Sequence, residues 1–272
     1  MSPLPVGLMC GALLVGSVTL SNPFSVTACA AAAGLLLWVA PPPRAMYVWF
    51  ACTTALLVFA ANPFVGVQGL TPLWSGPQIP VLDTEVTQEE LVFGLSAALR
   101  IVGSSFAIAA FVRLADGDRV LSAVARVAPR SAMIAALASR LLPTLERDAA
   151  GLVLAARARA ARITGRRQVA ALATPLVALS LERSMSLAEA MEARGYGGGP
   201  RTRPPRLAMP GRERVLLALA AITAVVVAVA ALTDGYRYYD LLDDPATIAG
   251  LAVTGALLAL GTAAAGAVRW RR

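Results

Sequence analysis

The chain contains no histidine and no lysine, and all 24 of its basic residues are arginine. Without histidine it lacks the commonest general base and metal ligand. Without lysine it cannot supply the Gly-Lys-Ser/Thr end of a Walker A phosphate loop. If the protein takes part in ATP-driven work, another subunit must bind the nucleotide. Charge is also scarce, with 15% Asp, Glu, Lys and Arg, and aromatic residues make up 6%. The three cysteines, Cys10, Cys29 and Cys52, lie in separate apolar runs. No pair of them has metal or redox spacing, so they read as small membrane-core residues.

What remains is oily. Hydrophobic residues form 57% of the 272, mostly Ala, Leu and Val, and the mean hydropathy is +0.67. That composition points to a multi-span membrane protein with closely packed helices. The net charge of +8 does not indicate nucleic acid, because no single-strand platform or reading helix accompanies it. In a membrane protein, excess arginine marks the cytoplasmic side.

Six apolar segments stand out: Val6–Leu20, Phe24–Ala40, Ala45–Val67, Leu91–Val112, Val215–Leu232 and Ala246–Val268. A spanning helix needs about 20 apolar residues, with about 17 to 25 tolerated. Val6–Leu20 falls short, but Met1–Pro5 carries no basic residue and no small-residue cleavage site follows, as a signal peptide would require. The first two segments form 35 uncharged residues broken by Asn22-Pro23, which fits a tight hairpin of two spans. The stretch from Arg113 to Arg214 holds 18 of the 24 arginines, while residues 68–90 hold none. With six spans, both termini and the long basic stretch are cytoplasmic, and every loop obeys the positive-inside rule. A five-span arrangement starting after Ser21, with its N-terminus outside, places the basic stretch on the same side. The expected fold is an all-α integral membrane protein of about six transmembrane helices. Its divisions are 1–113 (four spans), 114–212 (cytoplasmic helices) and 213–272 (two spans).

Helical patterning persists through the cytoplasmic insertion. Asp118 is a candidate N-cap for a helix over Arg119–Ala128, with Val120, Leu121, Val124 and Val127 on one face and Pro129 as its end. A long helix follows from about Arg130 to Ile163, bent at Pro143, with Leu142, Leu145, Ala149, Leu152 and Ala156 as its stripe and Gly165 as its stop. Another runs from about Gln168 to Arg194, with a kink site at Pro175, and Gly195 fits the left-handed position after it. Val177, Leu181, Met185, Ala188 and Met191 line one face of this helix.

Both long helices end in a small-Arg-small triplet, Ala158-Arg159-Ala160 and Ala193-Arg194-Gly195. Small neighbours let another backbone approach, and arginine offers a planar fork for carboxylates or carbonyls. The plainer alternative is arginine that favours the helix dipole and anionic lipid heads.

Leu181–Gly197, LERSMSLAEAMEARGYG, closely resembles the signature of the transmembrane T component of energy-coupling factor (ECF) transporters, a family that includes the T-type permease of cobalt importers. Ala135–Pro143, AALASRLLP, is similar to the segment that opens the first coupling helix. Ala155–Ala160, AARARA, occupies the place of the first Ala-Arg-Gly motif. It departs by ending in alanine, and Arg157 offers a second register. Ser21-Asn22-Pro23 and Asn62-Pro63-Phe64 are similar to the family's membrane half. The resemblance implies a non-catalytic coupling subunit. Its partners are two ABC-type ATPases, which bind ATP and Mg, a small substrate-binding S component for a vitamin or transition-metal ion, and membrane lipid. It implies that Arg159 and Arg194 contact acidic residues of the ATPases. It also implies that the apolar helix faces support the S component, which topples when the ATPases close. No cofactor or metal of the chain's own is implied. Tyr196–Arg206 then reads as the return to the fifth span, so Arg194 should matter far more than Arg201, Arg203 or Arg206.

Arg100, midway along the fourth segment, is an intramembrane arginine. It belongs either to a substrate path or to a structural pair with Glu89, Glu90 or a helix carbonyl. Asp240, Asp243 and Asp244 read as a solvated outer loop, with Tyr236, Tyr238 and Tyr239 at the interface. Glu146 and Asp148 lack partners for a catalytic pair. The alternative to a coupling subunit is a self-contained membrane carrier or membrane enzyme. An enzyme needs ionisable groups within the spans, where only Arg100 stands, and a carrier would usually show repeats and broken helices.

Overall fold

Backbone in lipid must satisfy its own hydrogen bonds, so apolar runs of this kind become helices. The computed structural model of the protein describes residues 3–42, 45–62, 72–75, 85–159, 166–196, 199, 210–233, 235–236 and 248–269. The first three apolar runs form α1 (Pro3–Thr19), α2 (Pro23–Val39) and α3 (Ala45–Ala61). An antiparallel ribbon follows, β1 (Pro72–Ser75) against β2 (Glu85–Thr87), with Trp74 opposite Val86 and a register shift between Pro72 and Trp74. The remaining helices are α4 (Gln88–Leu114), α5 (Gly117–Val124), α6 (Pro129–Ala158), α7 (Arg166–Ala193), α8 (Gly211–Thr233) and α9 (Ile248–Arg269).

Three of these, α4, α8 and α9, are long and apolar enough to cross a membrane. The apolar helices α1, α2 and α3 have 17 residues each. Each therefore rises about 25 Å, slightly under the roughly 30 Å hydrocarbon core.

Local chemistry sets the boundaries. The Asn22 side chain accepts a hydrogen bond from the Phe24 N–H at 3.0 Å, and Pro23 takes the first helical position of α2. Thr87 and Glu90 form a reciprocal capping box at the start of α4, with bonds of 3.4 and 3.3 Å. Both Glu89 and Glu90 are buried there. The expected N-cap at Asp118 shifts, because α5 already begins at Gly117 and places Asp118 in its first turn. Pro129 does not close the preceding helix. It opens α6, where its missing N–H costs nothing, after a turn over residues 125–127.

The chain divides into two compact units, Met1–Val120 with Met209–Arg272, and Leu121–Ala208. In the first, α2 packs on α4 and α9, α1 on α8 and α4, and α3 on α4. Small residues make these contacts close. A Cβ added at Gly261 of α9 would lie 2.5 Å from the Ala32 Cβ and 3.0 Å from its Cα. One added at Gly103 would meet Ser17 at 3.0 Å and the Ala30 backbone at 3.3 Å. Arg113 donates to the carbonyls of Pro41 and Pro42 and so holds the turn between α2 and α3. Cys10 and Cys29 are buried, but Cys52 is exposed. The reason is that α3 buries Ala51 and Ala55 and half-buries Tyr47, Thr54, Val58 and Phe59, leaving the opposite face, with Cys52, uncovered.

The second unit is built on α6 and α7. Of the expected stripe on α6, Leu145, Ala149, Leu152 and Ala156 are half-buried and Leu142 is exposed. The face that α7 half-buries is Leu172, Leu176, Ser180, Arg183, Leu187 and Met191. Val177, Leu181, Met185 and Ala188, expected as its apolar face, are instead exposed. The two stripes share the helix, and the one that packs carries the serine and arginine that meet α6. Ile163 and Gly165, expected at the end of the first long helix, lie outside the described residues.

Candidate functional site

The end of α7 is closed by its own backbone. The Tyr196 N–H donates to the Met191 carbonyl at 2.9 Å, and the Gly195 N–H donates to the Glu192 carbonyl at 2.8 Å. That pair of bonds is a Schellman motif, with Arg194 as the cap residue and Gly195 just beyond it. Gly195 has φ +73°, the left-handed conformation that a Cβ disfavours. The chain therefore turns sharply after Arg194, and Ala193, Arg194 and Gly195 are all exposed.

The end of α6 is different. Arg159 is its cap, with φ −87° and ψ 19°, and its N–H reaches the carbonyls of Ala155 and Ala156 at 3.3 and 3.2 Å. Arg157, Ala158 and Arg159 are exposed, while Ala160 lies outside the described residues. Both candidate arginines thus occupy helix C-caps, where a cation is favourable to the macrodipole.

Cross-contacts fix how the two ends are arranged. The Tyr196 hydroxyl donates to Met133 Sδ at 2.7 Å, beside the start of α6. Further along, Arg183 Nη1 lies 2.5 Å from Asp148 Oδ2. The helices are therefore antiparallel, and the Arg194 end lies beside the start of α6. Arg159 stands 26 residues beyond Met133 on α6, about 39 Å at a rise of 1.5 Å per residue. The structure does not bring the two triplets together. It sets them at opposite ends of one helical pair.

Between those ends, Ala138, Leu141, Leu142 and Leu145 of α6 and Ser180, Arg183 and Ser184 of α7 line a groove of about 350 Å³. Leu142, Val177, Leu181 and Met185 are 57%, 55%, 61% and 67% exposed, so large apolar side chains face outward from a two-helix unit that does not cover them. Arg183–Asp148 escaped the sequence reading, because its partners are 35 residues apart and no local spacing signals them. Tyr196 escaped it as well, since its role depends on the turn that Gly195 makes.

Arg100 is half-buried, and its Nη2 donates to the Leu20 carbonyl at 3.0 Å, just past the end of α1. Of the partners considered for it, the one present is a helix-end carbonyl. Among the described residues no group of three or more Asp, Glu or Cys side chains could hold a metal ion. Asp240, Asp243, Asp244, Tyr238, Tyr239, Arg201, Arg203 and Arg206 lie outside the described residues.

The family model described as CbiQ, cobalt transport protein, matches residues 6–205. The match spans the first four apolar helices and both triplets. No curated protein matches the chain significantly.

Proposed function

Because the chain belongs to the CbiQ family of cobalt transport proteins, membrane permeases, we propose that it is the coupling subunit of an ECF-type ABC importer. In this reading six helices, α1 to α4 with α8 and α9, span the membrane. Both termini and residues 114–212 are cytoplasmic. The slight shortness of α1, α2 and α3 is within what local thinning of the bilayer and flanking residues accommodate.

The observation that carries the reading is the opposed placement of the two exposed arginine caps. A lone basic patch would serve one partner. Two caps at opposite ends of one antiparallel pair offer a tip to each of two ATPase subunits. Arg159 and Arg194 act there as forks for acidic side chains. The exposed apolar stripe of α7 gives the substrate-binding S component a surface. Nucleotide and Mg belong to the ATPases, since the chain has no lysine for a phosphate loop. The transported species is a transition-metal ion of the cobalt class, bound by the S component and not by this chain. Arg100 has a structural role, holding the end of α1 against α4.

Purification in mild detergent tests the proposal. Two ATPase chains and one small membrane protein should accompany the protein. Arg194→Glu should lose ATPase binding or uptake while still inserting in the membrane. An isolated chain that transports unaided, or an Arg194→Glu variant with normal ATPase binding and uptake, contradicts it.

A further inference from the structure

Arg119 and Glu213 are 94 residues apart in sequence, yet Arg119 Nη1 lies 3.2 Å from Glu213 Oε1. Glu213 stands in the first turn of α8 with its side chain only 9% exposed, and the Arg119 side chain is 50% exposed. Arg119 also lies 3.8 Å from Asp116 Oδ2. All three residues belong to the first unit, and the second unit, Leu121–Ala208, begins two residues after Arg119 and ends five before Glu213. The ion pair therefore joins the two points where the chain leaves for the coupling helices and returns from them.

A carboxylate buried at a helix start gains from the dipole, but burying it is unfavourable without a partner, and such pairs are weak devices for stability alone. Their better-attested use is to fix one arrangement. Here the arrangement matters because Ala115 and Asp116, between α4 and α5, are non-helical, and Pro210 stands outside α8. A displacement of the coupling helices would be absorbed in the Ala115–Asp116 joint unless the two chain ends were tied. We infer that Arg119 and Glu213 form a fixed clamp that makes the starts of α5 and α8 move together, so that ATPase closure reaches the membrane helices. They are positioning residues for transport coupling, and the inference rests on the coupling-subunit reading.

The test uses the whole transporter, with its ATPases and S component, in proteoliposomes. ATPase retention, ATP hydrolysis, cobalt uptake per ATP and the KM for cobalt are measured for Glu213→Gln, Arg119→Gln and the swap Arg119→Glu/Glu213→Arg. Each single variant should keep its ATPases, its hydrolysis rate and its KM. Uptake per ATP should fall about tenfold, within the roughly 5- to 150-fold typical of coupling between sites. The swap should recover only part of that loss, because it restores the pair but sets a carboxylate beside Asp116 and a cation at the start of α8. Unchanged uptake per ATP in the single variants overturns the clamp. If Glu213→Gln fails to insert, Arg119→Gln, whose side chain is half exposed, decides the matter by the same readout. Loss of the ATPases from the unmodified protein refutes the coupling-subunit reading itself. Retained ATPases with unaltered coupling in the variants refute the clamp alone.

Discussion

Gly195 offers the sharpest test of how the α7 tip is made. Its φ of +73° lies where an L side chain is strained, and a Cβ added there meets nothing within 4 Å. Gly195→Ala therefore introduces no clash with neighbours. Its effect is confined to the backbone, where the left-handed conformation costs roughly 1–2 kcal/mol more with a Cβ than without. If the ATPase binds only the turned tip, the competent fraction falls and the apparent Kd rises in proportion. At 1.4 kcal/mol per tenfold, the expected weakening is at most roughly 5- to 30-fold. Gly195→Asn should lose less, because asparagine visits this conformation more readily. Gly199→Ala, at a glycine without positive φ and with open space around it, is the control. The assay is ATPase binding to detergent-solubilised protein at varied ATPase concentration. An unaltered Kd for Gly195→Ala, beside a weakened one for Arg194→Ala, would show that the Schellman turn does not present the arginine.

Two further predictions concern the membrane half. Gly261→Leu forces α9 away from the Ala32 backbone of α2, and overpacking of this kind costs about 1–3 kcal/mol. It should lower the Tm in detergent, and adding Ala32→Gly should recover part of the loss. A Gly261→Leu protein as stable as the parent would mean that α2 and α9 do not pack this closely. Arg100→Leu leaves the Leu20 carbonyl without its side-chain donor, worth about 1–3 kcal/mol if the group stays buried. Arg100→Leu should reduce stability while leaving the KM for cobalt unchanged, and a shifted KM would place Arg100 on a substrate path instead.

The helices were legible wherever hydrophobicity alone decides. Among the described residues each of the six apolar runs holds a helix, and at α4 the Thr87–Glu90 box extends the start beyond Leu91. Gly195 was legible because a glycine after a long periodic run is a specific stop signal. The inward face of α7 was not. Val177, Leu181 and Met185 are the more apolar stripe, yet Ser180 and Arg183 turn toward α6 because Asp148 is there to receive the arginine. Pairs such as Arg183–Asp148 and Arg119–Glu213 are tertiary, with partners 35 and 94 residues away, and no local period encodes them. The ribbon of β1 and β2 carried no clear alternation to announce it. The opposed placement of Arg159 and Arg194 follows from antiparallel pairing of α6 and α7, which two long helices joined by a short connection favour.

The central claim is that each arginine cap engages its own ATPase. The direct measurement is the number of ATPase subunits bound per chain, read by native mass spectrometry of the purified complex. The unmodified protein should carry two. Arg159→Glu and Arg194→Glu should each carry one, and the double variant none, with Arg201→Glu, Arg203→Glu and Arg206→Glu retaining both. Two ATPases bound to the Arg159→Glu/Arg194→Glu double variant would contradict the account.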